Sequence, residues 1–66
     1  MKTSELIEKW KKGMIENGLY QSYCLENDTN IIVEVEEECI TLKFLENKFT
    51  RCETYHKDGT IEEWFE

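Results

Sequence analysis

Sixty-six residues make one small domain, residues 1–66, and a chain of this size buries only about 60% of the surface it exposes when unfolded, which leaves no room for a deep catalytic cleft. Hydrophobic residues at 39% and aromatics at 12% exclude a disordered tail, and no apolar run approaches the ~20 residues of a membrane span or the core of a signal peptide. The charge of −7 is uneven: residues 1–18 hold four Lys and three Glu, residues 19–66 four basic and twelve acidic groups, so the expected sheet carries the negative field and direct nucleic-acid binding through phosphates is not expected.

Ser4 is placed to cap a helix, with Glu5 and Glu8 in its first turns where the dipole favours negative charge. Leu6, Ile7, Trp10 and Met14 then recur at helical spacing, and Asn17-Gly18 supplies a stop, so the pattern predicts an amphipathic helix over 4–17. Gly13 falls inside that span, where it weakens the helix by ~1 kcal/mol relative to Ala or lets the backbone approach the sheet closely. Beyond Gly18 the period changes to two, with runs at 19–26, 31–36, 39–45, 49–57 and 60–65 separated by turn-forming residues. Every connection is too short for a parallel crossover. The expected fold is therefore α+β, one N-terminal amphipathic helix packed on a four- to five-stranded antiparallel β-meander.

Loop lengths set the expected registers. A two-residue loop at Glu37-Glu38 sets Val35 opposite Ile40, Val33 opposite Leu42 and Ile31 opposite Phe44. A three-residue loop at Glu46-Asn47-Lys48 sets Leu42 opposite Cys52 and Ile40 opposite Thr54, and a two-residue Asp58-Gly59 loop pairs Cys52 with Phe65 and His56 with Ile61. One face then gathers Ile31, Val33, Val35, Ile40, Leu42, Phe44, Cys52, Thr54, Ile61 and Phe65 under the helix, with Trp10 and Phe44 at its centre. The other face holds Ile32, Glu34, Glu36, Cys39, Thr41, Lys43, Leu45, Phe49, Arg51, Glu53, Tyr55, Glu62 and Trp64, which a single helix cannot also cover.

Three cysteines cannot all pair within one chain, and free thiols of this kind behave as small buried hydrophobes. A zinc site would need Cys24, Cys39, Cys52 and His56, yet Cys52 and His56 lie four residues apart in an expected strand, roughly 13 Å at ~3.3 Å per residue. The same separation stands against a Cys52–His56 nucleophilic pair. Acidic runs such as Glu36-Glu37-Glu38 and Glu62-Glu63 are ordinarily solvated surface, and the isolated glycines make no phosphate loop. No catalytic residue, metal or cofactor is therefore expected.

The stretch Tyr55-His56-Lys57-Asp58-Gly59-Thr60-Ile61-Glu62-Glu63-Trp64 resembles the closing hairpin of nuclear-transport-factor-2-like domains. Those domains are much longer and close a pocket with several helices, so no residue role carries over. What remains is a cytoplasmic protein-binding module rather than an enzyme, its partner a protein with a basic surface and its contact residues Glu34, Glu36, Phe49, Glu53, Tyr55, Glu62 and Trp64. Its sharpest form is a small phage or mobile-element inhibitor whose carboxylates imitate nucleic-acid phosphates in a basic groove. The alternatives are a homodimer that pairs this face with itself and, more distantly, a small-ligand binder or enzyme built on Cys52, Glu53 and His56.

Overall fold

In a computed structural model that describes residues 2–25, 28–46 and 48–66, the apolar stripe of Leu6, Ile7 and Trp10 forms the sheet-facing side of α1 (Thr3–Lys11). The helix is shorter than the 4–17 expected. Gly13, and not Gly18, ends it: with φ +70° it follows the C-cap Lys12, its N–H donates to the Trp10 carbonyl at 3.0 Å, and the Met14 N–H reaches the Lys9 carbonyl at 2.8 Å. These are the paired bonds of a Schellman stop. Ser4 is not the cap either, because Lys2 takes the N-cap position with no side-chain bond. Met14 consequently leaves the stripe and is 68% exposed, while Ile15 packs on the core in its place.

Five strands follow, β1 (Gly18–Cys24), β2 (Asn30–Val35), β3 (Cys39–Leu45), β4 (Thr50–His56) and β5 (Ile61–Phe65), in one antiparallel sheet of order β1-β2-β3-β4-β5. This is the α+β meander expected. Position 26 of the first expected run and position 47 of the expected third loop lie outside the described residues. The β2–β3 register is the one expected, Val35 opposite Ile40 through Ile31 opposite Phe44.

The next two registers each differ by one residue, and in opposite directions. The Glu46 N–H donates to the Phe49 carbonyl at 3.2 Å, so pairing runs one step further into the loop than expected and Leu42 faces Glu53, Ile40 faces Tyr55 and Thr41 faces Thr54. In the last hairpin His56 N–H bonds the Thr60 carbonyl at 2.9 Å and Gly59 N–H bonds the His56 carbonyl at 3.1 Å, with Gly59 at φ +95°. That is a three-residue loop, a type I turn followed by a left-handed glycine, and it sets Cys52 opposite Trp64 and Tyr55 opposite Ile61. An Asp-Gly pair suits this loop as well as the two-residue turn, which is why the sequence leaves the register open.

A one-residue slip exchanges the faces of a strand, so β4 is turned over and β5 is restored. Arg51, Glu53 and Tyr55 therefore lie on the helix side, whereas Cys52, Thr54 and His56 lie on the far side. The far-side hydroxyls of Thr41 and Thr54 are buried and 2.9 Å apart, so each satisfies the other. On the helix side the Arg51 guanidinium sits 4.1 Å over the Phe44 ring and pairs with Glu46 and Glu53. Among the described residues the core proper is Leu6, Trp10, Ile31, Val33, Val35, Ile40, Leu42 and Phe44, from α1, β2 and β3. Cys52 is buried on the opposite side, and Ile61 and Phe65 keep their face but are each 61% exposed.

The stop at Gly13 gives the first test. A Cβ added there meets nothing within 4 Å, so Gly13→Ala carries only the left-handed penalty and should destabilise the protein by about 1 kcal/mol in denaturant unfolding. A glycine inside a longer helix would instead give a gain of similar size.

Candidate functional site

β5 ends the sheet and pairs on one side alone. Thr50 and Glu66 exchange both backbone bonds, at 3.1 and 2.8 Å, which makes theirs a hydrogen-bonded pair. Antiparallel pairs alternate, so Glu62 and Trp64 also point their backbone groups toward β4. The N–H and C=O groups of Ile61, Glu63 and Phe65 point away from it, along the open edge. All five residues of β5 are exposed. Ile61, Glu63 and Phe65 place their side chains on the helix side, where the Phe49 ring meets Phe65 edge-on with centroids 5.4 Å apart. Glu62 and Trp64 occupy the far side.

Residues 58–66 hold Asp58, Glu62, Glu63 and Glu66 and no basic residue. The edge is thus a short ledge of large apolar side chains set among carboxylates, with unpaired backbone groups between them.

The seven contact residues expected from sequence do not share one face. Glu34, Glu36, Glu62 and Trp64 stand on the far side; Phe49, Glu53 and Tyr55 are on the helix side, as a correction that follows from the turned β4. Glu53 is already engaged, by Arg51 and by the Tyr55 hydroxyl, which donates to it at 2.8 Å. Tyr55 packs against the core. The Glu36 carbonyl accepts the Trp10 indole N–H at 2.9 Å, and its carboxylate accepts from the Cys39 thiol at 3.6 Å. Trp64 remains 38% exposed and Phe49 43%. Ile61 and Phe65, assigned to the core by alternation, belong to the exposed set, and Glu63 joins them.

The β3–β4 register also brings Cys39 directly across from His56, whose Nε2 lies 2.8 Å from Glu62. The order thiol, imidazole, carboxylate is that of a nucleophilic triad, with Cys39 and not Cys52 beside the histidine. Its surroundings work against that use. Burial, then the carboxylates of Glu36, Glu34 and Glu62, push the Cys39 thiol up and hold it neutral, where a nucleophile needs thiolate. Burial followed by Glu66 does the same for Cys52. Among the described residues no group of three or more His, Cys, Asp or Glu side chains is placed to hold a metal ion, and no helix is long and apolar enough to cross a membrane.

No family model, no curated protein and no solved structure matches this chain.

Tyr55 reports on the helix-side end of this surface. Burial, with the Glu53 carboxylate second, pushes its phenol up to about 12. A folded-state value above the ordinary 10.0 means that stability is present in full below the unfolded value and is lost as pH rises through the folded one. Phenolate absorbance should show one tyrosine titrating near pH 12 in the folded protein, and wild-type stability should fall with alkaline pH more steeply than that of Tyr55→Phe. Equal slopes would place Tyr55 in solvent.

Proposed function

We propose that this protein is a small acidic binding module that docks a protein partner with a basic surface on the β5 edge. The observation that supports it most is the exposure of every residue of β5, three of them large and apolar, on a strand whose outer backbone groups have no neighbour in the sheet. Soluble domains ordinarily blunt or cover such an edge. Tyr, Trp and Phe are the side chains enriched at the cores of protein interfaces, and Trp64, Phe65 and Phe49 are available here. The surrounding carboxylates attract a basic partner from a distance and raise its rate of encounter.

A display of carboxylates imitating nucleic-acid phosphates would need them on one face. They are divided, with Glu34, Glu36 and Glu62 on the far side and Glu53 tied to Arg51 on the other, so the reading rests on the edge strand and its apolar rim.

The test is site-directed photo-crosslinking in cells that express the protein, with a reactive phenylalanine analogue placed at position 61 on β5 or at position 8 on the exposed side of α1. A discrete protein adduct from 61, absent from 8 and lost when Trp64→Ala and Phe65→Ala are added, is the expected result. Adducts from position 8 alone would move the interface to the helix, and adducts only with the chain itself would favour self-association.

A further inference from the structure

Resting on that reading, we infer that the occupant of the β5 edge is an extended basic segment of another protein, added to the sheet as a sixth, antiparallel strand. The outward groups of Ile61, Glu63 and Phe65 provide three N–H donors and three C=O acceptors at the alternate spacing that strand addition uses. Nothing in a side-chain-only contact would need them.

Charge decides between a foreign strand and a second copy. Two copies related by a twofold axis can extend the sheet only in registers that keep like faces together, and those that engage more than one of Ile61, Glu63 and Phe65 are centred on 62, 63 or 64. Centred on position 63, such a pairing sets Glu63 against the same residue of the other copy. Centred on 62, it opposes Glu62 to itself; centred on 64, it sets Glu62 opposite Glu66. Like charges directly across a strand pair are destabilising, and residues 58–66 contain no cation to offset them.

A foreign strand reverses the sign. In the antiparallel register it places a Lys or Arg opposite Glu63 and another opposite Glu62, with apolar residues opposite Ile61 and Phe65. The apolar pair then closes over the helix-side ledge beside Phe49, and the residue opposite Trp64 lies on the far side. The implied pattern is apolar, any, basic, basic, apolar, read in the partner's chain direction from the residue that faces Phe65 to the one that faces Ile61.

The probe is a blocked peptide, Ser-Val-Thr-Lys-Lys-Val-Ser, titrated into the full chain while its backbone amides are followed by NMR. Shifts should centre on Ile61, Glu63 and Phe65. N-methylation of the first Lys, whose N–H faces the edge, should weaken binding by about tenfold or more, whereas N-methylation of the Thr, whose N–H faces away, should leave it unchanged. Glu63→Lys, an exposed change, should weaken the parent peptide by about tenfold and keep the fold. Equal binding by both methylated peptides would overturn strand addition and leave a charge-driven interface at the same surface. If no peptide perturbs residues 61–66 while crosslinking from 61 still captures a protein, the inference fails and the binding reading stands. If crosslinking fails as well, both fall. A dimer in sedimentation that Glu63→Pro disperses would make a second copy the occupant and overturn the proposal.

Discussion

A single helix of nine residues has to cover a sheet of five strands, and it is too narrow. An α-helix with its side chains is about 10–12 Å across, whereas five strands at about 4.8 Å spacing span roughly 19 Å. The helix also has little stability of its own at that length. It is held by Leu6 and Trp10, both buried, and by the Trp10 indole N–H on the Glu36 carbonyl. That bond fixes α1 above the β2–β3 turn, so the core forms from α1, β2 and β3, and what lies beyond it must find other cover. β4 does so partly, through Arg51 over Phe44 and Tyr55 against the core. β5 finds none.

The far side has its own solution. Cys52 lies opposite Trp64, and its thiol donates to Glu66 at 3.5 Å; Lys43 pairs with the same carboxylate at 3.3 Å. Glu66 thereby ties the end of the chain across β4 to β3. Together with the Thr41–Thr54 pair, this gives the middle of the open face a buried, satisfied centre without a second layer. The apolar groups left over collect at the β5 edge, and the carboxylates beside them set what can approach. A short edge strand with charged residues resists pairing with its own kind, and here every charge in the strand has one sign. In the proposed reading, the feature that guards the edge against self-association is also the one that favours a basic segment.

How much of this could be read from the residues follows their physics. The change of period at Gly18 gave helix and sheet, and the Glu37-Glu38 loop admitted one register, which the structure has. Two loops were ambiguous. Asp-Gly serves a two-residue turn or the last two places of a three-residue one, and only the packing of Thr41 on Thr54 and of Arg51 on Phe44 selects between the face assignments. The two slips cancel at β5, so Trp64 and Glu62 fell on the expected side while Tyr55 and Glu53 did not. Gly13 was legible as a glycine but not as a stop, because Met14 and Ile15 prolong the apolar pattern past the helix. The exposure of Ile61 and Phe65 was hidden by alternation, which assigns a face and says nothing of whether a layer reaches it. The width of one helix against five strands was the available signal.

Docking on this surface requires β5 to present a free, correctly phased backbone edge. Hydrogen exchange of individual amides in the dilute protein measures this directly. The N–H groups of Glu62, Trp64 and Glu66 point into the sheet and should be protected, while those of Ile61, Glu63 and Phe65 should exchange at nearly the rate of an unfolded chain. Uniform protection along 61–66 would mean that the edge is covered by something else, and a reversed alternation would mean that β5 offers the other set of groups; either result would contradict a free edge at Ile61, Glu63 and Phe65.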